Sequence, residues 1–420
     1  MSLNRLSIQW KITLLAGLCL LAIVAVLIGI SLYRMGAGTE LVKANSAQML
    51  EASARERMQG EGKVQALTIQ RYFMAAYQDG LNFSRQVLLQ RRQAQQLQVD
   101  SQTLRGALHQ QVKEALQANP QLLSLYVVFE PNALDNSDAL YANRAELGSN
   151  ETGRFSTYWA QRGGNLSTLA PTEQMIIDAT PMLDGSPFNT WFNCPKKTLK
   201  PCLLDPYFDD ASGQKTLITT LTFPVIEDGR MLGVVGMDIS LSNLQQLAAS
   251  GSQGLYQGEG AISILSPAGL LAGYSKDAGL LGQGLAKAYP TEATQLLSLQ
   301  RQGQPYEQQS RDHLQVLAPL QPIPDSKPWA VLLDVPMQTL LAPALELQKD
   351  LDSRNAQGTW LELLFGLAAA IAGLLLVWLT ARGVTRPILG VAAMLRDIAS
   401  GEGDLTRRLD YARQDELGEL

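Results

Sequence analysis

Histidine is almost absent from the chain: His109 and His313 are the only two in 420 residues. That scarcity excludes a histidine-rich metal centre, and no His-Glu-x-x-His pair occurs. Gly-x-Ser-x-Gly and Walker patterns are missing too, and paired acids such as Asp209-Asp210 are ordinary turn material. No enzyme class and no cofactor is indicated. Charge is also sparse, at 17% of residues with a net −5, and no basic footprint for nucleic acid exists. Cysteine is limited to three. Cys19 lies in an apolar run and reads as a small apolar residue. Cys194 and Cys202 are eight apart, and outside the cell they predict a loop-closing disulfide. The alternative, a metal pair, lacks nearby histidines.

The missing charge is localised. Residues 12–33 hold none, and at about 1.5 Å per residue a helix of that length crosses a hydrocarbon core of about 30 Å. Residues 363–380 form a second uncharged run, extended outward by Trp360 and Leu361 with only Glu362 interrupting. Backbone polar groups cannot stay unpaired in lipid, so both runs are expected to be helices. A cleaved signal peptide is the alternative for the first, with Arg5 and Lys11 as its basic region. The run is longer than such a peptide needs, and no clear small-x-small cleavage site follows. Arg5 and Lys11 before the first span, with Arg382 and Arg386 after the second, put both ends in the cytoplasm. The expected order is a cytoplasmic terminus 1–11, a span 12–33, an exterior domain 34–358, a span 360–381 and a linker 382–420. The ends carry +2 and −1 of the total charge, leaving −6 for the rest, which suits a small cationic ligand.

Between the spans, residues 40–98 lack proline, and Val64, Leu67, Ile69, Phe73, Tyr77 and Leu81 recur mostly at helical spacing. They predict a long stalk helix. Residues 122–130 read as a strand ended by Pro131-Asn132. Residues 215–225 and 231–239, joined by Glu227-Asp228-Gly229-Arg230, predict an antiparallel hairpin. The segment 131–205 is rich in Gly, Pro, Asn and Trp and reads as a long functional loop. A smaller sheet follows, with strands at 261–266, 270–275, 313–320 and 329–335, and residues 337–360 return to helix. The fold class is α+β: two spans, and a stalk helix carrying two stacked antiparallel sheet modules, about 100–245 and 255–340.

Val384-Thr385-Arg386-Pro387-Ile388, the connector Gly401-Glu402-Gly403-Asp404-Leu405 and Asp415-Glu416-Leu417-Gly418 resemble a HAMP linker. That resemblance implies a parallel helical bundle in a homodimer. Leu125-Tyr126-Val127-Val128-Phe129, Asp205-Pro206-Tyr207-Phe208-Asp209 and Gly233-Val234-Val235-Gly236-Met237-Asp238 resemble the PAS-like double-Cache domains of methyl-accepting chemotaxis receptors. Amino-acid-sensing members hold the ligand's ammonium with a Tyr, an Asp two residues on, and the Asp of the last motif; Tyr207, Asp209 and Asp238 match. The carboxylate-binding Arg of those members has no match, because Ser156 stands in its place within Arg154-Phe155-Ser156-Thr157-Tyr158-Trp159. Loss of that bidentate clamp implies the amine-sensing branch, with a polyamine or histamine as ligand.

Carboxylates for pairing and aromatic faces for cation–π contact are what an organic ammonium needs. The expected binding set is Tyr126, Tyr158, Trp159, Trp191, Asp205, Tyr207, Asp209 and Asp238, with Asp205, Asp184 or Asp178 for a second ammonium. Trp191 could equally be packing and Asp205 a turn residue, whereas Asp238 within an apolar strand needs a partner. The resemblance further implies a bacterial inner-membrane receptor with a periplasmic sensor, signalling to a chemotaxis kinase and coupling protein. The alternatives are a Cache–HAMP sensor of a histidine kinase or diguanylate cyclase, and an amino-acid receptor using Arg154 or Arg162.

Overall fold

The computed structural model describes residues 7–400, apart from the side chains of residues 397 and 398. Arg5 and the HAMP-like residues 401–420 lie outside the described residues. The chain divides into two units, residues 51–341 and the two end segments 1–50 with 342–420.

In the end unit, α1 (Ile8–Gln96) and α7 (Met337–Ala399) supply the two apolar segments, each long and apolar enough to cross a membrane. Their apolar side chains point outward, as Leu15, Leu18, Leu364 and Phe365 do, each more than 60% exposed. Such a surface suits a lipid environment. The segments touch through small residues: a Cβ on Gly366 would meet Ile28 and one on Gly373 would meet Leu20, at 2.4 and 2.7 Å. Ser31 donates to Glu362 at 2.7 Å, so the one acid beside the second span has a partner.

The other unit holds two antiparallel sheets. The first contains β1 (Ser124–Phe129), β2 (Ser156–Arg162), β3 (Asn165–Leu169), β4 (Cys202–Leu203), β5 (Tyr207–Asp209), β6 (Thr216–Glu227) and β7 (Arg230–Ser240), in the order β3-β2-β1-β7-β6-β4 with β5 also on β6. The second contains β8 (Ala261–Leu265), β9 (Leu271–Tyr274), β10 (Tyr306–Gln309), β11 (His313–Leu320) and β12 (Trp329–Pro336), in the order β10-β11-β12-β8-β9, with α5 (Leu241–Gly254) before β8 and α6 (Ala293–Arg301) before β10. The segment 131–205, expected as a loop, instead carries the β2–β3 hairpin, α3 (Glu173–Ile177) and α4 (Thr190–Thr198). Its Gly and Asn residues provide the turns, among them Gly163 and Gly164 with positive φ between β2 and β3.

Strand alternation gives the first sheet two different faces. Leu125, Val127, Phe129, Phe223, Val235 and Met237 join the main core, with residues 51–96 of α1 and with α2 (Ser101–Gln117). Tyr77 meets Phe223 at 5.7 Å and Phe73 meets Trp329 at 5.1 Å, so one helix buries aromatics of both sheets. Gly80 is required here, since a Cβ would come within 2.1 Å of the Phe223 ring. The opposite face collects Tyr126, Val128, Tyr158, Ile218 and Val234 beneath α3 and α4. Buried Arg105 of α2 pins the turn-rich stretch beyond β1, pairing with Asp135 and Asp138 at 2.7 Å each and donating to the Gly153 carbonyl at 2.6 Å.

Candidate ligand site

The second face of the first sheet opens into a narrow cleft with a free volume of about 30 Å³. Tyr126, Tyr158, Tyr207, Asp209 and Asp238 line it from the strands, and Pro171, Met175, Phe188 and Trp191 line it from the covering segment. No Lys or Arg is among the lining residues.

Asp238 is 2% exposed and stands opposite Ser124 of β1 and Thr220 of β6. Ser124 Oγ donates to Asp238 Oδ2, and Thr220 Oγ1 donates to Oδ1 at 2.7 Å. The Tyr207 hydroxyl lies 2.7 Å from the same Thr220 oxygen. Asp209 is also buried and accepts from the Ala211 backbone N–H at 3.1 Å. Burial pushes the Asp209 carboxyl above the usual range, and the nearby Asp238 charge pushes it further. Burial likewise raises Asp238, opposed by its bonds from Ser124 and Thr220. Burial and these two acids also raise Tyr126, Tyr158 and Tyr207, so all three keep their hydroxyl protons. Two desolvated acids without a cation are an unfavourable arrangement that an entering positive charge relieves.

The aromatic walls are interlocked. Tyr126 stacks on Tyr158 at 5.9 Å, meets Trp191 edge-on at 5.3 Å, and Phe188 meets Tyr207 edge-on at 5.7 Å. The buried Tyr158 hydroxyl lies beside Ser124, whose oxygen keeps its lone pairs for Tyr158 while donating its proton to Asp238. Cys194 and Cys202 form a disulfide that ties α4, the carrier of Trp191, to β4. The disulfide lies outside the cleft lining, not over it.

Six of the eight expected residues therefore converge: Tyr126, Tyr158, Trp191, Tyr207, Asp209 and Asp238. Trp159 does not. It follows Tyr158 on β2, so alternation turns it to the helix face, 5.1 Å from His109 and 5.2 Å from Lys113 Nζ. Asp205 is also outside, where it accepts from the Ala268 backbone N–H at 2.9 Å. Asp184 and Asp178 are spent on their own turns, accepting from Ser186 and Thr180. Arg154 is buried elsewhere, bonded to the Phe129 carbonyl and to Glu173 at 3.0 Å. Arg162 sits on the Tyr158 side of β2 and bonds Gln214 and Thr216. The sequence reading missed Ser124 and Thr220, whose only signal is their position opposite Asp238.

Residues 108–246 match the first PDC sensor domain of methyl-accepting chemotaxis protein-like receptors, and residues 379–420 match HAMP. TlpQ of Pseudomonas aeruginosa, a methyl-accepting chemotaxis protein, is 56% identical over 421 residues, covering all of this chain and 59% of that relative. PctB of the same organism is 25% identical over 275 residues, covering 63% of this chain and 38% of PctB. The chain thus spans well under two thirds of the length of these relatives. Among solved structures, the periplasmic sensory domain of Campylobacter jejuni Tlp1 covers 70% of this chain and 99% of itself, at TM-score 0.52 and 14% identity. A histidine kinase extracellular domain covers 69% of this chain and 99% of itself, at 0.52 and 20%. These two show the fold alone. The relatives belong to a non-catalytic signalling family. From end to end, this chain is similar to part of a methyl-accepting chemotaxis protein, and it carries a match to the first PDC sensor domain of such receptors followed by a match to HAMP.

Proposed function

We propose that the chain is the sensing region of an inner-membrane chemoreceptor of the double-Cache, amine-sensing kind, whose periplasmic cleft binds a small organic cation such as a polyamine or histamine. The observation that carries this reading is the pair of buried acids, Asp209 and Asp238, in an aromatic cleft with no lining Lys or Arg. A primary ammonium there pairs with both carboxylates, at about 1.5–3 kcal/mol for each charge-assisted bond. Tyr126, Tyr158 and Trp191 enclose its methylene or ring body, adding cation–π attraction of about 2 kcal/mol when desolvated.

Calorimetry on the chain with putrescine and histamine tests the reading. Binding abolished by Asp238→Asn supports it, whereas binding of ordinary L-amino acids with no response to decarboxylated analogues ends it. The amino-acid reading has one observation in its favour, Arg162 on the Tyr158 side of β2.

Signalling in this reading runs from a homodimer through α7 and HAMP to a chemotaxis kinase and its coupling protein. The 56% identity to a chemotaxis receptor along the whole chain favours that output over a histidine kinase or cyclase. Ligand shifts the two-state linker only by its differential affinity for the states. Disulfide crosslinking rates along the second span that ignore putrescine would argue against this route. Cysteine labelling from the periplasm reaches a probe at Asn136 and misses one at Asp404; the reverse pattern would overturn the topology.

A further inference from the structure

The two sheets repeat one plan. In each, the module's first strand pairs with its last, and the last pairs with the strand before it: β1-β7-β6 and β8-β12-β11. Asp238 lies on β7 three residues before α5 (Leu241–Gly254), opposite Ser124 and Thr220. Asp334 lies on β12 three residues before α7, opposite Ala261 of β8 and Gln315 of β11. On the neighbouring strand, Tyr158 pairs with Tyr126, two residues after Ser124. Tyr274 of β9 pairs with Ser263, two residues after Ala261. Asp334 and Tyr274 are thus the register counterparts of Asp238 and Tyr158.

A second cleft, of about 320 Å³, opens at these positions. Asp334, Tyr274, Tyr289, Glu292, His313 and Gln315 line it, and no Lys or Arg does. Tyr289 is 6% exposed and meets Tyr274 edge-on at 6.3 Å. Burial holds the Asp334 carboxyl above its usual range, and His313 and Gln315 oppose that rise. Glu292 adds a second negative charge nearby. An acid on a sheet face, a neighbouring acid and two tyrosine walls are the chemistry of the first cleft in a second frame.

We propose that the second sheet carries its own ligand site, taking a small organic cation whose ammonium or guanidinium pairs with Asp334 and whose body lies against Tyr274 and Tyr289. The site differs from the first in one respect that sets its strength. His313 Nδ1 lies 2.8 Å from Asp334 Oδ1, so an incoming cation competes with the imidazole. Removing the ring therefore tightens this site. The argument rests on this cleft's own residues and stands apart from the ligand assigned to the first.

Titration of the full chain in lipid nanodiscs with putrescine, and separately with agmatine, tests it. The expected result is two sites per chain for at least one probe. Asp334→Asn or Tyr274→Ala weakens one site by roughly tenfold or more and leaves the other. Asp238→Asn does the reverse, and His313→Ala strengthens the Asp334-dependent site. Thermal melting keeps a misfolded variant from counting, and Tyr274→Ala serves if Asp334→Asn fails to fold. A single site lost with Asp334→Asn but kept with Asp238→Asn upholds this inference while the first reading fails. A single site lost only with Asp238→Asn, or no site that responds to Asp334→Asn and Tyr274→Ala with either probe, overturns it.

Discussion

The ring of Tyr126 occupies the space that a side chain on Gly236 would need: a Cβ there would come within 1.9 Å of the ring's Cζ. The two residues are cross-strand partners on β1 and β7, so the glycine lets a tyrosine lie across the sheet beside Asp238. Gly236→Ala is expected to cost about 1–3 kcal/mol through overpacking. It also displaces Tyr126 from Tyr158 and Trp191. Urea unfolding and putrescine calorimetry together check this, and an unchanged midpoint with unchanged affinity would refute it.

Thr220 serves two groups at once, donating to Asp238 and meeting the Tyr207 hydroxyl. Thr220→Val keeps the shape and removes both bonds, leaving a buried carboxylate with one donor fewer. The expected loss is about 1–3 kcal/mol of stability. Asp238 rises further in pKa, so amine binding at neutral pH weakens. Affinity measured at two pH values separates this from simple unfolding, because the defect shrinks at the higher pH.

Burial holds the Asp209 and Asp238 carboxyls above their ordinary range, so the empty folded chain keeps protons that the unfolded chain releases. Stability from this pair is complete below the unfolded pKa of about 4 and is lost as pH rises through the raised folded values. The stability of the wild type relative to an Asp209→Asn, Asp238→Asn chain therefore falls as pH is raised across that window. Saturating putrescine removes that slope by keeping the folded pair ionised. Melting temperatures in steps of pH, with and without ligand, give the test; parallel curves would refute it.

Reducing the Cys194–Cys202 disulfide opens a short loop, with an expected loss of about 2–3 kcal/mol through the unfolded state. Trp191 sits on the helix that the disulfide anchors, so amine affinity falls as well. A Cys194→Ser, Cys202→Ser chain with wild-type melting and binding would contradict both.

Much of this was determined by local sequence alone. Uncharged runs of about twenty residues are long and apolar enough to cross a membrane, so residues 12–33 and 363–380 are legible as candidate spans. The alternation of residues 215–239 around Asp228-Gly229 dictates the β6–β7 hairpin and puts Asp238 on a sheet face. Other features depend on which strands become neighbours, which no local pattern states. Trp159 was expected beside its neighbour Tyr158, but once residues 156–162 form a strand the two must face opposite ways. Asp205 is near Tyr207 in sequence, yet its backbone partner Ala268 belongs to the turn after β8. Ser124 and Thr220 are unremarkable in sequence and become partners of Asp238 only because β1 and β6 flank β7. Asp334 gains its meaning in the same way, from a register shared between two sheets. Local sequence determines which side chains a strand offers to each face; cross-strand pairing and the covering helices decide which of those faces becomes a site.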